Sequence, residues 1–221
     1  MARGRVAGIV LCAGSSSRMG RDKLWEDLGG RPVVAWSVAA LAESACLDSL
    51  ICVASLQTMD RMAELLLSIR PSSRLVVGGA RRRDSVLAGL NAAGDAEWCV
   101  VHDGARPFVT GEMVRVGLEA AQQSGAAVAA VPVVDTIKVV RDGVVVSTPE
   151  RSTLWAAQTP QVFRTSLLRE AHERVDGDVT DDAIMVESLG VAVRTFPGAY
   201  GNMKITFPED LALARALINA A

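Results

Sequence analysis

Residues 6–23 read VAGIVLCAGSSSRMGRDK. Val6 to Cys12 form an uncharged, largely apolar run, and the chain then opens into glycine and serine with basic residues beyond. A buried strand emptying into such a loop is the entry unit of an open α/β sheet, where ligands bind beyond the carboxyl ends of strands. Ala13 and Gly14 let backbone N–H groups approach a polyphosphate closely. Arg18 adds a fixed positive charge and Lys23 a mobile one. The loop is not a Walker loop, since no Gly-Lys-Ser/Thr follows at the required spacing, and its glycines are misplaced for a dinucleotide fingerprint. A solvated Ser/Gly turn with incidental basic residues is the other reading of the same composition. Arg3 and Arg5 before the apolar run loosely mimic a secretory signal, but the run is short and Arg18, Arg21 and Lys23 follow at once.

Outward from this stretch, strand-like runs alternate with amphipathic ones. Strands are expected at Val6–Cys12, Leu50–Ala54, Arg74–Val77, Trp98–His102 and Ala126–Val131. Helices are expected at Val33–Glu43, Thr58–Ile69, Asp84–Ala92 and Gly111–Gln123. Nearly continuous Val/Ile/Leu strands imply cover on both faces, and the alternation implies right-handed crossovers and a mostly parallel sheet flanked by helices. After Pro132 the pattern changes. Thr136–Val140 and Val144–Thr148 flank Asp142-Gly143, a hairpin signal. Its apolar residues have no evident covering helix, so an arm over about 135–150 that packs on a second subunit is expected. Helical patterns return at Thr165–Arg174, Thr180–Leu189 and Pro208–Ala220, with a strand-like Val191–Phe196. No linker divides the chain, so residues 1–221 are expected to form one domain.

Half of the 221 residues are hydrophobic and 22% are charged, proportions that exclude wholesale disorder. No apolar run is long enough for a membrane span. The formal charge of −2 and the absence of interleaved aromatics argue against a nucleic-acid partner. Cys12, Cys46, Cys52 and Cys99 form no C-x-x-C pair and read as small hydrophobes in a reducing, cytoplasmic setting. His102 and His172 lie far apart, a spacing that argues against a Cys/His metal cage.

Further motifs follow the first loop. His102-Asp103-Gly104-Ala105-Arg106-Pro107 ends a buried strand. Asp103 there either binds Mg²⁺ or orients a substrate group, with Arg106 as a phosphate clamp, or it caps the next turn with Arg106 paired to it. His102 reads as a satisfied strand-end histidine. Gly78-Gly79 opens a helix, where a flat ring can rest on the backbone and Ser85 can meet a base edge. The run Arg81–Arg83 reads as a solvated helix start. Late in the chain, Thr180 reads as an N-cap or an anion site. Thr159 before Pro160 is expected extended, with its hydroxyl exposed. Lys204 falls in an apolar strand-like segment, either snorkelling or needing a partner.

Taken together these elements resemble the 2-C-methyl-D-erythritol 4-phosphate cytidylyltransferase family of the non-mevalonate isoprenoid pathway. The markers are the Ala13–Lys23 loop, Gly78-Gly79 with Asp84-Ser85-Val86, and His102 to Pro107. Val131-Pro132 with Asp135 to Lys138, Thr159-Pro160-Gln161, Thr180 to Ala183 and Asn202 to Thr206 continue the series. The resemblance implies a Rossmann-like nucleotidyltransferase fold with a protruding β-hairpin arm exchanged in a homodimer. It implies Mg²⁺-dependent transfer of CMP from CTP to the sugar-alcohol phosphate, releasing pyrophosphate. By the same resemblance Arg18 and Lys23 contact the triphosphate and stabilise the transition state, with Lys204 a third catalytic residue. Ala13 and Gly14 lie along the nucleotide, Gly79 and Ser85 read cytosine, and Asp103 is the metal-linked carboxylate. Arg106, Thr159 and Thr180 fall where the family holds the sugar phosphate, and Thr136 and Arg151 where it reaches into the partner's site. Ala80 stands where some relatives are acidic, leaving base recognition to the backbone and Ser85. The alternative is a cytidylyltransferase for another polyol phosphate, such as ribitol 5-phosphate. The attacking phosphate is already anionic, so direct in-line displacement is expected, with no Ser/His nucleophile.

Overall fold

Val6–Cys12 forms the first strand, β1, in the computed structural model, which describes residues 4–14, 22–177 and 179–219. Its side chains alternate between two cores: Val6, Val10 and Cys12 enter one, Ala7 and Ile9 the other. Beyond it lie the short strands β2 (Asp27–Leu28) and β3 (Arg31–Pro32), joined through Gly29 and Gly30 at φ 65° and 85°. Then come α1 (Val33–Ala42), β4 (Ser49–Ala54), α2 (Met59–Ile69), β5 (Arg74–Val77) and α3 (Arg82–Ala93). They are followed by β6 (Trp98–Asp103), α4 (Gly111–Ala121), β7 (Ala126–Pro132), β8 (Val139–Arg141) and β9 (Val144–Ser147). The chain continues through β10 (Trp155–Arg164), α5 (Thr165–Arg174), α6 (Asp182–Ser188), β11 (Arg194–Pro197) and α7 (Pro208–Asn219).

The main sheet has the order β11-β7-β10-β6-β1-β4-β5. Its pairs are parallel except where β10 runs antiparallel between β6 and β7. One apolar cluster joins the sheet to α1, α2 and α4, through Val34, Val38, Met62, Val114 and Leu118. The other joins it to α3, α5 and α6, through Val86, Leu90, Leu168 and Met185. A third, smaller cluster seats α7 on Leu28, Val33 and Ile205. The α/β class and the mostly parallel, helix-flanked sheet are therefore as the sequence implied. No helix among the described residues is long and apolar enough to cross a membrane.

Several local expectations need correction. β10 was not foreseen as a strand, because Pro160 argues against a central strand. The chain accommodates it at an irregularity, a register shift between Ala157 and Gln161 that contains a cis Thr159–Pro160 bond. The first limb of the hairpin begins at Val139, so Thr136 lies outside it. The hairpin turns through Asp142 and Gly143 at φ 51° and 77°, as the Asp-Gly signal implies, and pairs only with itself. The late strand is Arg194–Pro197 rather than Val191–Phe196. Lys204 lies in no strand, since residues 203–206 carry no regular structure. Asp181, not Thr180, caps α6: its side chain accepts from the Ile184 N–H at 3.1 Å. Thr180 therefore sits before the cap, and a seven-residue helix follows.

α3 can press against β1 because Gly89 has no side chain. A Cβ at that position would lie 2.4 Å from Ile9 Cγ2 and 3.2 Å from Val53 Cγ2, inside van der Waals contact. Gly89→Ala gains helix propensity but must overpack the core. The clash wins, and the variant is expected to lose about 1–3 kcal/mol, read as a lower urea-unfolding midpoint. An unchanged or raised midpoint would show that α3 shifts at no cost.

Candidate active site

From β1 the chain steps to β4 and β5 on one side, then returns to β6 on the other. The crevice between β1 and β6 is thus a topological switch point, where open α/β sheets bind ligands. Ala13 and Gly14 leave the end of β1, and Asp103 ends β6. The Gly104 N–H donates to the Leu11 carbonyl at 2.9 Å and draws the two ends together. A cavity of about 360 Å³ opens here, in the range of small-ligand sites. Ala13, Gly14, Lys23, Gly79, Ser85, Asp103 and Lys204 all line it, with Arg81, Arg82 and Thr206 among the others.

Each wall has a local cause. Gly78 allows the turn before α3 to approach the first loop, for a Cβ there would sit 2.6 Å from Ala13 Cβ and 2.7 Å from Ser85 Oγ. Asp84 then caps the start of α3, accepting from the Arg81 backbone N–H at 3.2 Å and from the Arg81 guanidinium. Ser85 is buried, and its hydroxyl donates to the Arg81 carbonyl at 3.3 Å. Lys23 starts a short helical turn whose entry is fixed by Asp22, which accepts from the Leu24 N–H at 3.2 Å. The Arg61 guanidinium stacks 4.2 Å from the Trp25 ring centre at the end of that turn.

Asp103 is the charged centre. Lys204 Nζ donates to its Oδ2 at 2.8 Å, while Arg82 Nε stands 3.8 Å from Oδ1 and Arg106 Nε 3.9 Å from Oδ2. Burial alone would push the Asp103 carboxyl up, but Lys204, Arg82 and Arg106 together hold it well below the usual carboxylate range. The Lys204 segment is tied to the β6 loop by the Ile205 N–H, which donates to the Ala105 carbonyl at 2.9 Å. Arg106 Nη1 donates to the Asn202 carbonyl at 2.8 Å.

A buried layer lies behind. The Asp103 N–H donates to Thr159 Oγ1 at 3.0 Å, and the same oxygen lies 3.0 Å from His102 Nδ1. His102 Nε2 lies 3.1 Å from the Arg106 carbonyl, which can only accept. The proton therefore sits on Nε2, Nδ1 is bare, and the Thr159 hydroxyl donates to it. His102 is the satisfied strand-end histidine its sequence suggested. Thr159 departs from expectation: it is 4% exposed, so its hydroxyl fixes backbone rather than facing solvent. Asn202 is wholly buried and donates to the Thr159 carbonyl at 2.8 Å, locking the same corner.

Arg106 and Thr159 stand behind the cavity wall, and Thr136, Arg151 and Thr180 are absent from its lining. Arg18 lies outside the described residues. Arg82 corrects the reading of Arg81–Arg83 as a solvated run, since its side chain is only 24% exposed and meets the buried Asp182 at 2.7 Å. Arg82, Asp182 and Asn202 were missed; a charge run and a polar triplet give no sign of which member turns inward. Among the described residues no group of three or more His, Cys, Asp or Glu side chains is placed to hold a metal. Asp103 nonetheless fits a Mg²⁺ that rides on a polyphosphate, a setting in which one or two carboxylates suffice. Among the described residues it is the one acidic side chain lining the cavity, and its Oδ1 makes no hydrogen bond to a described residue.

Comparison with known proteins gives a consistent picture. The family model for 2-C-methyl-D-erythritol 4-phosphate cytidylyltransferase matches residues 6–220. A relative of that description from Dehalococcoides mccartyi is 41% identical over 218 residues, 97% of this chain and 96% of its own. Another from Geobacter metallireducens is 40% identical over 225 residues, 96% of this chain and 97% of its own. The crystal structure of 4-diphosphocytidyl-2C-methyl-D-erythritol synthase from Anaerococcus prevotii superposes with a TM-score of 0.88 at 29% identity, covering 98% of this chain and 99% of that one. The cytidylyltransferase of Thermus thermophilus gives 0.80 at 33% identity, covering 96% and 98%.

Burial lowers His102 from 6.5 to about 4. Burial, then Arg83 and Arg82, lowers His172 likewise to about 4. Between these values and the unfolded pKa the unfolded chain binds more protons, so stability falls as pH drops through 6.5 and the loss levels off near 4. Asp182, raised by burial, works in the opposite direction. Urea unfolding at pH 5 is expected to show lower stability than at pH 7.5, by about 2 kcal/mol for His102 alone. Equal stability at both pH values would mean that His102 is not held neutral.

Proposed function

The chain belongs to the 2-C-methyl-D-erythritol 4-phosphate cytidylyltransferase family, and we propose that it works by direct in-line attack of the acceptor phosphate on the α-phosphorus of CTP within the β1–β6 cavity. It is a transferase of isoprenoid precursor biosynthesis: CMP passes from CTP to 2-C-methyl-D-erythritol 4-phosphate, giving the diphosphocytidyl alcohol and pyrophosphate. The observation that carries the mechanistic reading is that Lys23, Ser85, Asp103 and Lys204 share one cavity although they come from four separate parts of the chain.

A phosphate monoester carries −1.5 to −2 charge near neutrality, so its oxygen needs no base to become a nucleophile. The barrier is repulsion between two anions and the charge that grows on the leaving pyrophosphate. Arg18 and Lys23 answer that charge from the first loop. Gly79 and Ser85 receive the base, the first through its backbone and the second through a hydroxyl that can turn from the Arg81 carbonyl. Lys204 has three donors and spends one on Asp103, so its ammonium can hold the acceptor phosphate for attack. Asp103 is the carboxylate that would hold Mg²⁺ beside the polyphosphate, where the ion's charge offsets negative charge in the transition state.

The whole chain is read as one catalytic domain working as a homodimer. Val139, Val140, Val144, Val145 and Val146 of the hairpin are all exposed, an apolar surface that a second copy would cover. Thr136 and Arg151 flank this arm and do not line their own cavity, which suits residues that complete a partner's site. A cytoplasmic setting accords with Cys12, Cys52 and Cys99 as buried free thiols.

Incubation with CTP, Mg²⁺ and 2-C-methyl-D-erythritol 4-phosphate is expected to release pyrophosphate and a product of the diphosphocytidyl mass. Lys23→Ala should lower kcat by about 10²–10³. A rise in the KM for CTP at unchanged kcat would assign Lys23 to uniform binding instead. Val145→Lys, which places charge on the arm, should shift the protein from dimer to monomer in sedimentation and remove most of the activity. A fully active monomer would sink the shared-site reading.

A further inference from the structure

Arg82 opens α3 and lines the cavity, yet the reaction as described gives it no task. Its neighbours are engaged elsewhere. Arg81 pairs with Asp84 at 2.8 Å, and Arg83 donates to the carbonyls of Gly177 and His172 at 3.1 and 3.0 Å. Arg82 turns inward instead. Its Nη1 lies 2.7 Å from Asp182 Oδ2 and its Nε 3.8 Å from Asp103 Oδ1. Its Nη2 makes no hydrogen bond with any described residue. Asp182, in the first turn of α6, is wholly buried, and neither of its oxygens has another close polar partner among the described residues.

A buried ion pair is a poor device for stability, because desolvating two charges offsets most of their attraction, and an apolar pair of similar volume serves packing as well. Arg82 is also not required to neutralise Asp103, which already holds Lys204 at 2.8 Å. What the pair does achieve is orientation. A planar guanidinium held at one nitrogen beside a buried carboxylate has its remaining N–H groups set in direction, and such a fork suits a phosphate. One helical turn further on, Ser85 lines the same cavity.

We propose that Arg82 is a further phosphate-binding residue of this cavity, and that Asp182 is the positioning residue that aims it. The inference rests on the reading of the cavity as a nucleotidyl-transfer site. The oxyanion belongs either to the triphosphate of CTP or to the monoester of the acceptor, and the two can be separated.

Arg82→Met is expected to lower kcat/KM by roughly tenfold to a hundredfold, the scale of a lost charge-assisted hydrogen bond to phosphate. Arg82→Lys, which keeps charge and loses the fork, should fall between. Asp182→Asn should reproduce part of the loss, and adding it to Arg82→Met should cost nothing more, since Asp182 acts through Arg82. Additive losses in the double variant would make Asp182 a structural residue and overturn its half of the inference. Calorimetry with CTP and no acceptor tells the oxyanions apart: weaker CTP binding to Arg82→Met assigns the triphosphate. Unchanged CTP binding with a raised KM for the acceptor assigns the monoester. If a single variant fails to fold, Arg82→Met/Asp182→Leu removes both charges together and should show the same kinetic loss. Binding of inorganic phosphate and tripolyphosphate, with nucleotide and acceptor absent, keeps this inference apart from the assigned reaction. Weaker binding to Arg82→Met upholds it even where the wild type forms no product. Wild-type anion binding and turnover in that variant overturn it.

Discussion

Lys204 Nζ lies 2.8 Å from Asp103 Oδ2, across 101 residues of sequence. An ionised carboxylate at the end of a buried strand is costly unless positive charge and hydrogen bonds surround it. Here the surrounding charge comes from the β6 loop as Arg106, from the start of α3 as Arg82, and from a late irregular segment as Lys204. Those contacts bring three distant parts of the chain around one point. The Ile205 N–H to Ala105 carbonyl bond holds Lys204 in reach, and α7 then packs on Ile205 through the third apolar cluster. The charged centre and the closure of the fold beside it are thus one arrangement.

β10 gives that centre its backing. As an antiparallel strand between β6 and β7, it places Thr159 directly behind Asp103 at a register shift in its own ladder. A regular strand would offer a carbonyl or an N–H at that point. The irregular one offers a hydroxyl, which accepts from the Asp103 N–H and donates to a neutral His102. Two buried groups are satisfied at once, and the carboxylate is oriented by backbone as well as by its cations. His102 thereby contributes to the site without touching a substrate.

Much of this was legible from residue order and spacing. Apolar runs marked β1, β4, β5, β6 and β7 almost to the residue, because strands covered on both faces must be apolar throughout. The Gly/Ser loop, Gly78-Gly79 and the Asp103 strand end were legible because their chemistry depends on local composition. Where local composition did not suffice, the reading failed. Pro160 concealed β10, since the irregularity that accommodates it is a property of the ladder and not of the segment. Thr180 and Asp181 are both good caps, and only the fold selects the second. Arg82 looked like its neighbours in a basic run. Its inward turn depends on Asp182, one hundred positions away, and no pattern within either segment records that pairing.

The same limit applies to charge. A net charge of −2 argues against a nucleic-acid partner but does not describe the cavity, where Lys23, Arg81, Arg82 and Lys204 stand with Asp103 as the one acidic side chain among the described lining residues. Low-dielectric walls focus such a local excess, so net charge alone does not describe the site. The excess also explains why Asp103 can stay buried and ionised. Lys204 and Arg82 stand beside Asp103, with Arg82 also against Asp182 and Arg81 against Asp84, so carboxylates hold these cations in place. On the proposed function, arriving phosphates find the cations already assembled and need not order them. Preorganised charge of this kind lowers a barrier more effectively than mobile charge, because the cost of assembling it is met during folding and not during reaction.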